Sequence, residues 1–533
     1  VSIDEAPLTL RLRGPFAAQD GAGRDVLPAG RKERALLALL AFAPDRRCLR
    51  PWLRDTLWSD RSRNQRITSL RRALANIRKS LGEGADLLGS DREAVWLDPA
   101  VRLDRDGTGT LLDGLEAPDP AFGLWLRSVR RTHGPAFPAE AAPRAETEAE
   151  ERCVIRIASS QGTVPSSPEE RHLAEHLAGL LADRMRNHGN LDVTVVPQGA
   201  TDPFTGPPPL IHFDIRGLIR EGRWFVNLRS AGHDGRLFLW AGQLDMPLNF
   251  GQILGGTEIA AFSETAAGAT IRRLSGQPVA ASLPAIAIQT AAQGIFAGNR
   301  DQMEAAARQL AQLSVHDSSG MALAWRAYAQ VNDVQEYASP IIPARARAAE
   351  ELADAAVRAG PTNPTVLGLA AHAYLNFQPE SEIGAELSRR AVQFSGADPY
   401  ALGAASQANL IEGDFEAAQC MAERARHIAA PLSYSYCWDV QAAIATLALG
   451  RIEEAAQRVH KVVMNRPGYR PALRYQFALA TILGNRERAQ RSMSLLRMQE
   501  QSFTPARLLT PGYPVKGLYA AGLIPRLAEA ING

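Results

Sequence analysis

The pattern of apolar and polar positions changes character several times along the chain. Leu8 to Arg13 alternates apolar and polar, as a half-buried strand does, and the turn-rich Asp20-Gly21-Ala22-Gly23 follows. Arg31–Ala43 is apolar nearly all round (Leu36, Leu37, Leu39, Leu40, Phe42), which predicts a buried helix. Leu49–Trp58 puts Leu49, Trp52, Leu53 and Leu57 on one helical face, with Pro51 near its start. In Ser62–Leu81 the residues Ile67, Leu70, Leu74, Ile77 and Leu81 are spaced 3, 4, 3 and 4, one apolar stripe on a helix. Leu87-Leu88 and Ala94–Leu97 then flank Gly89-Ser90-Asp91-Arg92-Glu93, the pattern of a β-hairpin with a charged tip.

Residues 131–151 are rich in Pro, Ala and Glu without apolar periodicity and read as a linker. Beyond it, Val154–Ala158 and Leu191–Val196 read as strands. Pro168–Asn187 between them reads as a helix with Leu173, Leu177, Leu180, Leu181 and Met185 on one face. Leu210–Ile219, Trp224–Ser230 and Leu237–Leu244 follow as strands, with turn signals at Glu221-Gly222 and Asp234-Gly235, and Gly256–Leu274 as a helix. From about residue 284 the chain is Ala-rich and helical. Gly413-Asp-Phe-Glu-Ala-Ala418, Gly450-Arg-Ile-Glu-Glu-Ala455 and Gly484-Asn-Arg-Glu-Arg-Ala489 repeat one turn-then-helix signal, with glycines 37 and 34 residues apart. They look like degenerate tetratricopeptide repeats, helix pairs of ~34 residues, and weaker signals at Gly298, Ala349 and Ala391 bring the expected count to five or six. Such a stack forms a curved solenoid whose inner face holds a peptide, a protein partner, a second copy or another part of the same chain.

Charge changes the picture in one window. Of the 51 residues from Gly30 to Ser80, 14 are Arg or Lys and four are Asp or Glu, a formal +10 in a chain whose total is +2. Ser62–Leu81 contains no acid at all. Off its apolar stripe lie Arg63, Arg66, Arg71, Arg72, Arg78 and Lys79, interleaved with Gln65, Thr68, Ser69 and Asn76. Arg and Lys neutralise phosphates, and Arg, Asn, Gln and Ser carry donors and acceptors that match base edges. A basic helix preceded by two helices and followed by a hairpin is the order of a winged helix-turn-helix, with double-stranded DNA as its partner.

The segments RLRGPF, LPAGRKERALLALLAFAP, LRDTLW, SLRRALANIRKSLG and LLGSDREAVWLDP together resemble the OmpR-type winged helix of SARP-like bacterial regulators. DPAFGLWLR, at Asp119–Arg127, is similar to the helical start of the bacterial transcriptional activation domain that follows such winged helices. The resemblance covers roughly the first 130 residues. It implies that the third helix reads bases through Ser69, Arg72, Ala73 and Asn76, that Arg63, Arg66, Arg71 and Lys79 face phosphates, and that Arg92 serves the wing. It also implies transcription activation through contact with RNA polymerase. The middle region is faintly similar to the TolB N-terminal domain found between winged helices and repeat arrays in cyclase-like and CadC-like regulators. The expected organisation is a winged-helix DNA-binding domain (1–105), an activation-domain-like helix and linker (106–151), an α/β domain (152–280) and a helical repeat domain (281–533).

Other chemistry is sparse. Cys48, Cys153, Cys420 and Cys437 form no CxxC pair and read as reduced thiols of a cytoplasmic protein. No apolar run approaches the ~18 residues of a membrane span, and the first residues, VSIDEAPLTL, lack the basic start and apolar core of a signal peptide. His172-Leu-Ala-Glu-His176 has inverted zinc-peptidase spacing without a third ligand. Gly251-Gln-Ile-Leu-Gly-Gly256 lacks the Lys-Ser/Thr ending of a phosphate loop and reads as a turn into a helix. Trp325, Tyr328, Tyr374, Tyr434, Tyr436 and Trp438 read as packing between repeat helices. No catalytic set, metal or cofactor is expected. The alternative to a DNA-binding regulator is a repeat-based scaffold or adaptor with a secondary DNA-binding module.

Overall fold

The computed structural model describes residues 7–43, 46–58, 63–104, 110–115, 119, 122, 126, 129, 154–159, 167–189, 191–196, 209–232, 237–277, 283–379 and 382–532. The expected linker at 131–151 lies outside them. So does most of Asp119–Arg127, of which Asp119, Phe122 and Leu126 are described and buried.

The first unit opens with β1 (Leu8–Arg11) and β2 (Ala17–Asp20), an antiparallel pair. Three helices follow: α1 (Arg31–Phe42), α2 (Arg50–Leu57) and α3 (Arg63–Leu81). Every residue from Ala35 to Ala41 is buried, so α1 is the central post that its unbroken apolar run predicts. β3 (Arg47–Leu49) precedes α2, and β4 (Leu88–Ser90) and β5 (Ala94–Leu97) form the expected hairpin, giving a second sheet in the order β3-β5-β4. The apolar pattern starts α2 at Leu49. Cys48 and Leu49 instead pair with Val95 and Ala94, a long-range contact that no local period reveals.

Residues Arg102–Asp104 form β6, which runs parallel to β1 and completes the first sheet as β2-β1-β6. The expected boundary at 105 is too early. Leu112 N donates to Leu12 O, Gly14 N to Thr110 O and Phe16 N to Asp113 O, so the first unit keeps its backbone pairing to residue 113.

The middle unit is a sheet ordered β11-β10-β9-β7-β8, built from β7 (Val154–Ser159), β8 (Asp192–Val196), β9 (Ile211–Arg220), β10 (Arg223–Gly232) and β11 (Phe238–Pro247). β7 is parallel to both β8 and β9, and β9, β10 and β11 are antiparallel. One face alternates into the core with Ile155, Ile157, Ile211, Phe213, Ile215, Trp224, Val226 and Leu228. Helices α4 (Pro168–Asn187) and α6 (Thr257–Ser275) cover it. Ser167 and Glu170 form a reciprocal capping box that starts α4 where Pro168 predicts a helix start. The Gly251–Gly256 stretch is a short helix, α5 (Phe250–Gly255), where a turn was expected. Its Ile253 is fully buried, and α5 packs against α2 of the first unit.

The C-terminal half is a run of helices: α7 (Pro284–Ile295), α8 (Arg300–Leu313), α9 (Met321–Tyr337), α10 (Pro343–Ala359), α11 (Pro364–Phe377), α12 (Glu382–Phe394), α13 (Pro399–Glu412), α14 (Phe415–Ala429), α15 (Tyr436–Ala448), α16 (Ile452–Asn465), α17 (Arg470–Ile482) and α18 (Arg486–Gln499), then short α19 (Lys516–Ala520) and α20 (Ile524–Asn532). Each helix from α7 to α18 packs on the next. Gly413, Gly450 and Gly484 all adopt positive φ (83°, 78° and 72°) between paired helices, a conformation that favours glycine. α11 is buried along its length from Pro364 to Asn376, whereas α10 buries Ala349, Ala353 and Ala356 alone.

The run also bends back on itself. Arg470 Nη1 reaches Glu336 Oε1 at 2.9 Å and Arg474 Nη2 donates to Glu336 O at 2.9 Å, tying α17 to the end of α9. Arg474 is fully buried and also pairs with Glu500. The C-terminal segment lies against inner helices, with Lys516 Nζ donating to Asn376 O at 3.0 Å and Gly517 N to the Tyr475 hydroxyl at 2.9 Å.

The middle unit docks on the helical half through α6 against α14. A buried charge cluster marks the junction: Arg184 of α4 donates to Asp398 Oδ2 at 2.9 Å and to Glu264 Oε1 at 3.0 Å. Asp398 also caps α13, accepting from Tyr400 N and Ala401 N.

Candidate nucleic-acid interface

Helix α3 owes its position to one stripe. Leu70, Leu74, Ile77 and Leu81 are at most 3 % exposed and pack under α1 and α2. Ala73 lies three residues after Leu70 and four before Ile77, so helical geometry sets it on the same buried side. At 3 % exposure it floors the groove and cannot reach out to a base, which corrects its expected base-facing role.

The opposite side is solvent-facing. Gln65, Thr68, Arg71, Arg72, Asn76 and Lys79 are exposed, and Arg66 and Ser69 half-buried. Arg63 falls in the first turn of α3, and its side chain lies outside the described residues. Two sides can be told apart. Arg72, Ser69 and Asn76 line an open groove together with Lys32, Glu33 and Trp58. Arg71 instead stands near Arg50, at the start of α2. Burial together with repulsion from Arg71 holds the Arg50 guanidinium below its usual range. Among the described residues, Arg71, Arg72, Lys79 and Arg92 have no hydrogen-bond or ion-pair partner within the chain, so their charge is uncompensated at close range.

Asn76 is less free than its sequence position suggests. Its Nδ2 donates to Glu33 Oε1 at 2.8 Å, which places a carboxylate at the edge of the groove. Lys32, which the helix pattern did not single out, donates to Leu57 O at 2.6 Å and lies 5.5 Å from the Trp58 ring centroid. Only the charge count of the window held a trace of it.

The hairpin is fastened to α3 and braced by β3. Arg78 donates to Leu88 O at 3.0 Å and to Ser90 Oγ at 2.8 Å, so this arginine has a structural task. At the tip, Asp91 Oδ1 accepts from Glu93 N at 2.7 Å and Ala94 N at 2.6 Å, and Asp91 Oδ2 accepts from Arg47. These backbone bonds, with Arg47 assisting, hold its carboxyl below the usual range. Arg92 projects, exposed, from the tip so formed. Gly89 sits opposite Trp96, and a Cβ on Gly89 would lie 2.2 Å from Trp96 Nε1. The indole thus lies across the hairpin in space that only glycine leaves, with the Arg47 guanidinium 4.8 Å from its ring.

The other motifs do not converge. His172 and His176 lie on α4, and burial pushes His172 down to about 4, which favours neutral imidazole in a packed interior. No group of three metal-ligating side chains occurs among the described residues, and none of the helices among them is long and apolar enough to cross a membrane. Trp325, Tyr374, Tyr434 and Trp438 are buried as inter-helix packing, while Tyr328 and Tyr436 are half-buried.

Neither the models of known protein families nor the curated proteins include a match to this chain. The functional reading therefore rests on the site itself.

Proposed function

We propose that the first unit is a winged helix-turn-helix that binds duplex DNA, with α3 in the major groove and the β4–β5 hairpin as the wing on the flanking backbone. The observation that carries this reading is the exposed side of α3: an acid-free helix of 19 residues on which Arg71, Arg72 and Lys79 stand without partners. Ser69 and Arg72 face bases, with Asn76 joining them once it leaves Glu33. Arg66, Arg71, Lys79 and Arg92 take phosphates, and Arg63 is assigned there from its place in the sequence.

The whole chain is then a SARP-like DNA-binding transcription regulator that acts by binding rather than by catalysis. Its helical half is a tetratricopeptide-like solenoid that, with the middle unit, governs the DNA module. What supports a governing role is the continuous packing from α2 through α5 and α6 to α14, which links the DNA-reading unit to the helices. Activation through RNA polymerase completes the proposal. The test is to incubate the purified protein with fragmented bacterial DNA, recover the retained fragments and sequence them. Enrichment of a shared motif is the expected result, and retention without any enrichment would refute sequence-specific reading.

A further inference from the structure

A cavity of about 310 Å³ opens where the beginning of the helical run meets its end. Its walls include Phe296 after α7, Tyr436 at the start of α15 and Tyr469 between α16 and α17, with Asn332 and Glu336 from α9. The rings of Tyr436 and Tyr469 cross edge-on at 4.6 Å. Pockets for small molecules are about 300–1,000 Å³, mostly apolar, with a few polar groups that fix orientation.

Several polar groups here are already engaged. The Tyr436 hydroxyl donates to Phe296 O at 2.8 Å, and Asn332 Nδ2 donates to Ile295 O at 3.0 Å. Two charged groups are not fully matched. Glu336 is 4 % exposed; its Oε1 accepts from Arg470, while Oε2 is buried with no hydrogen-bond partner among the described residues. A buried carboxylate oxygen without a donor is costly, and a ligand N–H would relieve it. Arg466 stands exposed at the rim, 5.2 Å from the Tyr436 ring centroid, with no carboxylate against it among the described residues.

We infer that this cavity binds a small aromatic zwitterion, its ammonium on Glu336, its carboxylate on Arg466 and its ring against Tyr436 and Tyr469. The charges argue for both ends of such a ligand. Arg470 already balances Glu336, so an amine alone would add a cation beside Arg466 and Arg470. An acid alone would leave Glu336 Oε2 without a donor. Aromatic walls favour a flat ring. The position has a further meaning: Phe296 stacks on Tyr434 with centroids 4.1 Å apart, the Tyr434 and Tyr400 hydroxyls bond at 2.7 Å, and the Arg184 guanidinium lies 5.9 Å from the Tyr400 ring centroid. The cavity thus adjoins the packing that joins the middle unit to the helices.

The test is calorimetric titration of the full chain, without DNA, so that its outcome is independent of the DNA-binding proposal. Three probes share one ring: L-phenylalanine, phenethylamine and 3-phenylpropionate. L-phenylalanine binds tightest, and loss of either charged group weakens binding by about tenfold to a hundredfold. Arg466→Ala, at the exposed rim where folding is undisturbed, weakens L-phenylalanine and 3-phenylpropionate and spares phenethylamine. Glu336→Gln weakens L-phenylalanine and phenethylamine and spares the acid; should that variant not fold, the Arg466 comparison still decides. The inference is overturned if no probe binds, if either single-charge probe binds as well as L-phenylalanine, or if Arg466→Ala leaves all three unchanged.

Discussion

Arg71 and Arg72 are adjacent in sequence and point to different surroundings, and the difference is measurable. Successive residues of an α-helix are rotated by about 100°. Arg72 lines the groove with Ser69 and Asn76, while Arg71 lies on the side of Arg50. Each phosphate neutralised on duplex DNA contributes about −0.9 to the slope of log K against log salt. Contacts from Arg63, Arg66, Arg71, Lys79 and Arg92 give a slope of about −4.5 per bound chain. Arg71→Ala flattens it to about −3.6 and weakens every duplex by the same factor, since a phosphate carries no sequence information. Arg72→Ala acts differently, costing about 1–3 kcal/mol on the preferred site and relaxing discrimination at one base pair, with less change in slope. Fluorescence anisotropy with a labelled preferred site and scrambled duplexes, across a salt series, separates the two. A slope near zero, or uniform loss on all duplexes for both substitutions, would refute the assignment of the two sides of α3.

Three further outcomes concern stability. Gly89→Val drives a side chain into the Trp96 indole and costs roughly 1–3 kcal/mol with weakened DNA binding, whereas exposed Glu93→Ala stays within about 0.5 kcal/mol; urea melts compare them. Arg184→Met leaves the buried Glu264 and Asp398 without their cation and costs about 3–5 kcal/mol in the same melts, so a loss under 1 kcal/mol would contradict the cluster's role. Burial, partly offset by Arg184, raises the Glu264 carboxyl above its ordinary 4.5. The folded state therefore binds more protons between the unfolded and folded pKa values, and Glu264's contribution to stability falls as pH rises through that window. Glu264→Gln removes this component: the stability of the native protein relative to the variant declines with rising pH, and parallel pH profiles would count against it.

Much of the fold was legible because it is written in local periods. The stripe Leu70–Leu81 and the unbroken apolar run of α1 mark both helices within a residue or two, and α4 begins at Pro168 as the helical pattern predicts. The positive-φ glycines at 413, 450 and 484 likewise marked the turns of the helical half. What escaped is non-local. β3 and β6 are three residues each and exist through partners far along the chain. The bond from Arg184 to Asp398 spans 214 residues, and no spacing rule reaches that far. At the candidate interface, the basic residues were found by charge, but their surroundings were not. The partnership of Asn76 with Glu33 is a contact between helices. Ala73 was misplaced although its spacing from Leu70 and Ile77 already put it on the buried stripe.

The latch between α17 and α9 changes how the helical half comes apart. In an open stack, each pair of helices touches its neighbours alone, stability is close to a sum of local terms, and the ends fray without disturbing the middle. Here Arg470 and Arg474 join α17 to residues 335 and 336, more than a hundred positions earlier. Fraying from the C-terminus then has to break buried charged bonds that also hold α9, so losing the last helices loosens the early ones. The stack behaves as one cooperative unit, with slower closure during folding because its last contacts bridge the longest loops.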